Sequence, residues 1–195
     1  MLTRLDLWLF GTINGLAGRV GWLDALGRLL VNDYLLPSAL ALMLLWLWLS
    51  GRTPMVRRLY TGAVVNAFVA QFIANLILKL INLSYFRPRP FDPDPTVNLL
   101  FYRPWDSSCP SNPATFGFAV ATAIYLASPR LGRWALGVAT VWGLARVYCG
   151  VHYPLDVILG AGLGASVAYW LSRRSDTMAW VRERLLGLLR KGMVA

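Results

Sequence analysis

Residues 145–156 read Ala145-Arg146-Val147-Tyr148-Cys149-Gly150-Val151-His152-Tyr153-Pro154-Leu155-Asp156, a run that holds the single histidine of a 195-residue chain. It lies between two apolar segments, 131–149 and 155–172. A guanidinium grips phosphate oxygens through two parallel hydrogen bonds and never loses its charge. An imidazole can take up a phosphoryl group and pass it to water. A nearby carboxylate can hold the other ring nitrogen, fix its tautomer and stabilise the cation that forms. Pro154 suits the first turn of a helix, which leaves His152 on the preceding loop. The run reads as a phosphate-handling loop that joins two apolar helices.

Outward from this run the chain stays oily. Segments 34–50 and 59–78 carry no charge, and 113–128 is a further apolar stretch. Several are shorter than the ~20 residues of an average bilayer span, so the helices are expected to extend into their polar flanks. The connections 51–58 and 129–133 are short and polar, which implies antiparallel neighbours. Hydrophobic residues make up 57% of the chain, and the mean hydropathy is +0.52, too oily for a soluble domain of this size. The predicted fold is all-α: an integral membrane helical bundle with about five transmembrane helices plus interfacial N-terminal helices. The whole chain, 1–195, is expected to be one domain, with 1–32 interfacial, 33–172 the transmembrane core and 173–195 a basic cytoplasmic tail.

Residues 1–32 read as two short helices broken near Gly15–Gly18 and interrupted by Arg4, Asp6, Arg19, Asp24 and Arg28. They do not resemble a cleavable signal, which needs an apolar core followed by a small-residue cleavage site. The stretch from Asp176 to Lys191 reads either as a basic amphipathic surface helix or as a solvated, frayed end. Gly160 and Gly164 allow close helix approach, and packing inside one bundle is expected of them; no homo-oligomer is predicted.

The formal charge of +10 would suggest nucleic acid in a soluble protein. Here the basic residues cluster at the ends of apolar runs, which suits lipid head groups and membrane orientation instead, so no nucleic-acid partner is expected. Arg52, Arg57, Arg58, Arg130, Arg133, Arg173 and Arg174 fall on one side when the loops alternate. The positive-inside rule puts that side in the cytoplasm and the loops 79–112 and 146–155 outside. Cys109 and Cys149 are too few for a zinc framework in a chain with one histidine. They form either a disulfide or two small buried thiols.

Three polar clusters share the outer side: Tyr85-Phe86-Arg87-Pro88-Arg89-Pro90, Ser107-Ser108-Cys109-Pro110-Ser111-Asn112, and the run around Arg146, His152 and Asp156. Charged groups at membrane depth are costly unless used, and three clusters on one side point to a site. Backbone N–H groups at a helix start add neutral donors to the arginines. Asn66, Gln71 and Asn75 are expected to bond neighbouring helices. Asp92, Asp94 and Asp106 are expected to be solvated or to pair with Arg87 or Arg103.

The third cluster resembles the final signature of the type 2 phosphatidic acid phosphatase (PAP2) superfamily: an arginine, five residues, a histidine, three residues and an aspartate. Only the serine before that arginine is replaced, by Ala145. Arg89-Pro90 resembles the end of the first signature and Pro110-Ser111 the start of the second. The stretch from Ile81 to Phe91, with the short N-terminal helices, looks most like bacterial undecaprenyl-diphosphatases of the BcrC type. The resemblance implies that His152 is the nucleophile that becomes phosphohistidine, with Asp156 as its partner. Arg89, Arg146, Ser111 and Asn112 would hold the phosphate; no metal or cofactor is implied. It also implies a polyprenyl diphosphate as substrate, hydrolysed at the outer face of a bacterial inner membrane. Two places depart from the pattern. A signature lysine is replaced by Asn82; Lys79, one helical turn earlier on the same face, is expected either to reach the phosphate in its place or to snorkel to the head groups. The second signature ends in a histidine, the general acid, where this chain has Pro113. A relative that only binds or moves lipid phosphates is therefore the rival expectation, and a monoester phosphatase a third.

Overall fold

The computed structural model describes residues 2–174, and the expected helix of the tail lies outside them. Seven helices follow in order: α1 (Leu2–Asn14), α2 (Gly21–Leu30), α3 (Leu35–Leu49), α4 (Pro54–Ser84), α5 (Asn112–Ala127), α6 (Pro129–Tyr148) and α7 (Pro154–Arg173). Among the described residues there is no strand, and the molecule is the all-α bundle expected. Proline opens α4, α5, α6 and α7, where the missing N–H costs nothing and the fixed φ already suits a helix.

Helices α3 to α7 coincide with the five apolar segments. By length and apolarity alone, α4 and α7 can each cross a membrane, and α2 with α3, bent by 50°, could form a third span. The reason is visible in α5. Its 16 residues reach only about 24 Å at 1.5 Å per residue, short of a ~30 Å hydrocarbon core. It sits inside the bundle, packed on α7, α6, α4 and α3, and buries Ala114, Ala119, Ala121 and Ala123. The α5–α7 contact is the closest: a Cβ on Gly160 or Gly164 would run into the carbonyls of Ser111 and Thr115. The small-residue stripe thus serves packing within one chain. Leu42, Trp46, Leu49, Phe68, Phe72, Leu83, Trp134 and Trp170 stay exposed, which suits lipid rather than water.

Helix α4, at 31 residues, overshoots the predicted 59–78 at both ends. The Thr53 hydroxyl caps its start by accepting from Val56 N. At 1.5 Å per residue its 31 residues reach about 46 Å, longer than a ~30 Å hydrocarbon core. Helix α1 departs further from expectation. Its buried stripe is Asp6, Phe10 and Asn14, while Leu5, Leu7 and Trp8 are exposed. The polar side faces the protein because Asp6 and Asn14 find partners there.

Candidate functional site

The end of α6 is shaped locally. Gly150 takes φ +78°, and the N–H of Gly150 and of Val151 return to the carbonyls of Val147 and Arg146 at 3.1 and 3.0 Å. This is the Schellman closure that glycine at the first post-helical position permits. A Cβ at Gly150 would stand 2.9 Å from the Asn98 carbonyl. The His152 N–H also donates to the Arg146 carbonyl, at 3.3 Å, so the turn sets arginine and histidine together. From α1, Asn14 Nδ2 donates to the carbonyls of Tyr148 (2.8 Å) and Asn98 (2.9 Å) and pins the turn to the outer loop.

His152 is 2% exposed. Its Nδ1 lies 2.8 Å from the Ser108 carbonyl. A carbonyl only accepts, so Nδ1 carries the proton and Nε2 keeps its lone pair. Arg89 Nη1 faces that Nε2 at 3.3 Å. Burial first, then the charges of Arg89 and Arg146, hold the imidazole well below its usual pKa, and the ring is neutral at neutral pH. Asp156 does not take the place expected of it. Its carboxylate stands 4.0 Å from Nδ1, because the Ser108 carbonyl occupies that position. The carboxylate organises the surroundings instead. It accepts from the Ser108 hydroxyl at 2.5 Å, Arg87 Nη1 at 2.5 Å and the Tyr153 N–H at 3.0 Å. Its backbone carbonyl accepts from Ser111 N at 3.0 Å.

The two loops from the first and second clusters run side by side. Arg87 N donates to Ser107 Oγ at 3.1 Å, and Ser108 N to the Arg87 carbonyl at 2.9 Å. Arg89 donates Nε to the Asp106 carbonyl, Nη2 to its carboxylate at 2.7 Å, and Nη1 to the Val151 carbonyl. Asp106 is thus half exposed, as a solvated loop carboxylate would be, and the arginine it pairs with is Arg89 rather than Arg87 or Arg103. Arg146 is 2% exposed, pairs with Asp33, and lies over the rings of Phe101 and Trp142.

Ser111 caps α5 and is fully buried; its hydroxyl has no partner among the described residues, nor has Arg146 Nε or Trp142 Nε1. Asn112 and Pro113 line a polar cavity of about 300 Å³ with Asp33, Gln71, Asn75 and Trp142. Lys79 is exposed and continues the Gln71–Asn75 stripe of α4 by one turn; no contact joins it to His152. Of the intramembrane amides, Asn66 bonds α7 as expected through the Ala168 carbonyl. Gln71 and Asn75 serve the cavity wall instead. Cys109 and Cys149 are separate buried thiols. Burial pushes Cys109 up to about 11, which keeps it protonated and unreactive.

Sequence reasoning did not single out Asp6, Asp33 or Ser108. Asp6 carried one available signal: a lone carboxylate in a helix of leucines needs a partner. It finds Arg87 at 2.7 Å and the Leu155 N–H at 2.8 Å.

Residues 61–179 match the model of the PAP2 superfamily. The chain belongs to that superfamily. It is 30% identical to the undecaprenyl-diphosphatase BcrC of Bacillus subtilis over 172 residues, 87% of this chain and 84% of that one. It is 27% identical to the bacitracin transport permease protein BcrC of Bacillus licheniformis over 183 residues, 94% and 87% of the two chains. The crystal structure of LpxE from Aquifex aeolicus superposes with a TM-score of 0.67 at 27% identity, covering 85% of this chain and 93% of that one. The likeness to that structure therefore extends beyond the matched region.

Proposed function

We propose that this PAP2 protein hydrolyses a polyprenyl diphosphate to the monophosphate through a phosphohistidine on His152. The observation that carries the reading is the Nε2 edge of His152, free of a proton and 3.3 Å from Arg89 Nη1. His152 attacks the terminal phosphorus. Arg89, Arg146, the Ser111 hydroxyl and the donors near Asn112 stabilise charge on the equatorial oxygens. Ser108 fixes the tautomer, and Asp156 acts through Ser108 and Arg87. Lys79 adds positive charge at the mouth.

A lipid substrate is supported by a groove of about 380 Å³ between α3, α4 and α5, lined by Leu44, Trp48, Ala67, Phe68 and Val120. It shares Gln71 and Phe116 with the polar cavity, so the apolar groove adjoins the polar side of the bundle. We read the protein as a bacterial inner-membrane enzyme whose site faces outward. Arg52, Arg57, Arg58, Arg130 and Arg133 gather at the opposite end, which the positive-inside rule assigns to the cytoplasm.

The diphosphate follows from the leaving group. Pro113 stands where the family resemblance puts its general acid. A monoester must expel an alkoxide, whose conjugate acid has a pKa of roughly 16, like water. A diphosphate expels a lipid phosphate, whose corresponding pKa is ~6 and which leaves unprotonated. The purified chain is expected to release phosphate from an isoprenyl diphosphate far faster than from phosphatidic acid. Pro113→His should raise the monoester rate most, within the ~10²–10⁴-fold range of acid catalysis. Equal rates on the two lipids would sink this assignment. Pro113 itself favours a second reading, a phosphate-lipid binder, which lipid retention without turnover in either variant would establish.

A further inference from the structure

We propose that Asp33 is a catalytic base, taking the proton of the water that resolves the phosphohistidine. The inference rests on the diphosphatase reading and adds a residue to it. Pro113 has no proton to move, so the duty must fall elsewhere. Among the residues that line the cavity beside Pro113, Asp33 is the one titratable side chain. It comes from the short connection between α2 and α3, remote in sequence from all three polar clusters.

Its carboxylate is held from both sides. Oδ1 accepts from Arg146 Nη2, and Oδ2 accepts from the Tyr102 hydroxyl at 3.0 Å. The side chain remains 37% exposed, so water reaches it. It sits against the guanidinium assigned to phosphate, at a cavity also lined by Gln71, Asn75, Asn112 and Trp142.

The proton balance explains why one carboxylate suffices. In the first step the Nε2–P bond forms, the bridging P–O bond breaks, and its electron pair leaves on the lipid monophosphate. No proton is required. In the second, water forms a P–O bond, the P–N bond breaks, and its pair returns to Nε2. The proton of that water passes to Asp33 and then to solvent. The histidine missing at 113 is thus needed only as a base, and only in the second step.

The experiment uses the full chain in detergent with an isoprenyl diphosphate labelled in its terminal phosphate. Lipid monophosphate, orthophosphate and protein-bound label after alkaline quench are followed together. The unaltered chain should release both products in step. Asp33→Asn should release one equivalent of lipid monophosphate in a burst, retain label on His152, and then turn over ~10²-fold or more slowly. Asp33→Glu should recover part of the rate. Tyr102→Phe, an exposed position, keeps the carboxylate but frees one oxygen, and should give a smaller burst with several-fold slower turnover. Neither variant showing a burst or retained label would overturn the proposal; a lowered KM alone would make Asp33 a displaceable counter-ion of Arg146. If the unaltered chain releases no monophosphate from the diphosphate, the functional reading itself falls, and this inference with it.

Discussion

Arg87 and Arg89 stand two residues apart, each followed by proline and each bound to aspartate, yet their counter-ions differ. Arg87 lies between Asp6 and Asp156, at 2.7 and 2.5 Å, and both carboxylates are buried. Its guanidinium also covers the Tyr153 ring at 4.2 Å. Burial works against its charge, but the hydrogen bonds and charges of the two aspartates outweigh that and raise its pKa. Arg89 pairs with Asp106, whose side chain is 48% exposed, and turns Nη1 toward His152. The lesson is that the burial of the counter-ion decides the role. A buried carboxylate cannot leave its arginine without carrying an unpaired charge, whereas a water-facing one can yield its place to phosphate.

The largest expected effect lies on the Arg87 side. Arg87→Met leaves two buried carboxylates uncompensated and should cost about 3–5 kcal/mol, read by denaturant or thermal titration in detergent. Adding Asp6→Asn should restore part of it. A variant as stable as the unaltered chain but inactive would make Arg87 a substrate ligand and erase the contrast.

Arg89→Met should lose stability less and activity more, about 10²–10³-fold in kcat, the scale of one lost charge-stabilising donor. The pH profile adds a sign. Burial first, and then the charge of Arg89, makes protonation of His152 costlier, so the acid limb of kcat/KM in the unaltered chain is expected below the ordinary imidazole range. Removing Arg89 should move that limb to higher pH. An unmoved limb would mean that Arg89 does not face the ring in solution.

The smallest effect belongs to Asp106→Asn. Exposed pairs contribute about 0–1 kcal/mol, so stability should hardly change and KM should fall by less than about fivefold as Arg89 is freed. A large loss of activity would place Asp106 in the chemistry.

How much was legible beforehand varies by element. The five core helices were read from apolar runs within a few residues, apart from α4, whose polar ends conceal that the helix continues beyond its apolar run. His152 and Arg146 are legible together because one turn joins them, whereas Arg89 lies 63 residues from His152 and is marked only by its proline-flanked cluster and the family resemblance. Spacing points to Asp156 as the partner of His152 Nδ1, which in the structure meets the Ser108 carbonyl at 2.8 Å with the carboxylate 4.0 Å away. Residue spacing locates a carboxylate but cannot reveal that a backbone carbonyl 44 positions away reaches the ring first. Asp33 left no trace at all, since an aspartate after an asparagine in a short loop looks like a turn residue.

The amino-acid order alone determined what is local: helices where apolar runs are long, prolines at their first turns, and a glycine whose positive φ closes α6 and sets His152 beside Arg146. Tertiary structure decided which charge meets which. Asp6 to Arg87, Asp33 to Arg146 and Ser108 to His152 span 81, 113 and 44 residues. Pairing over such distances follows from how the helices pack, because an ion pair is selected by burial and position rather than by residue type.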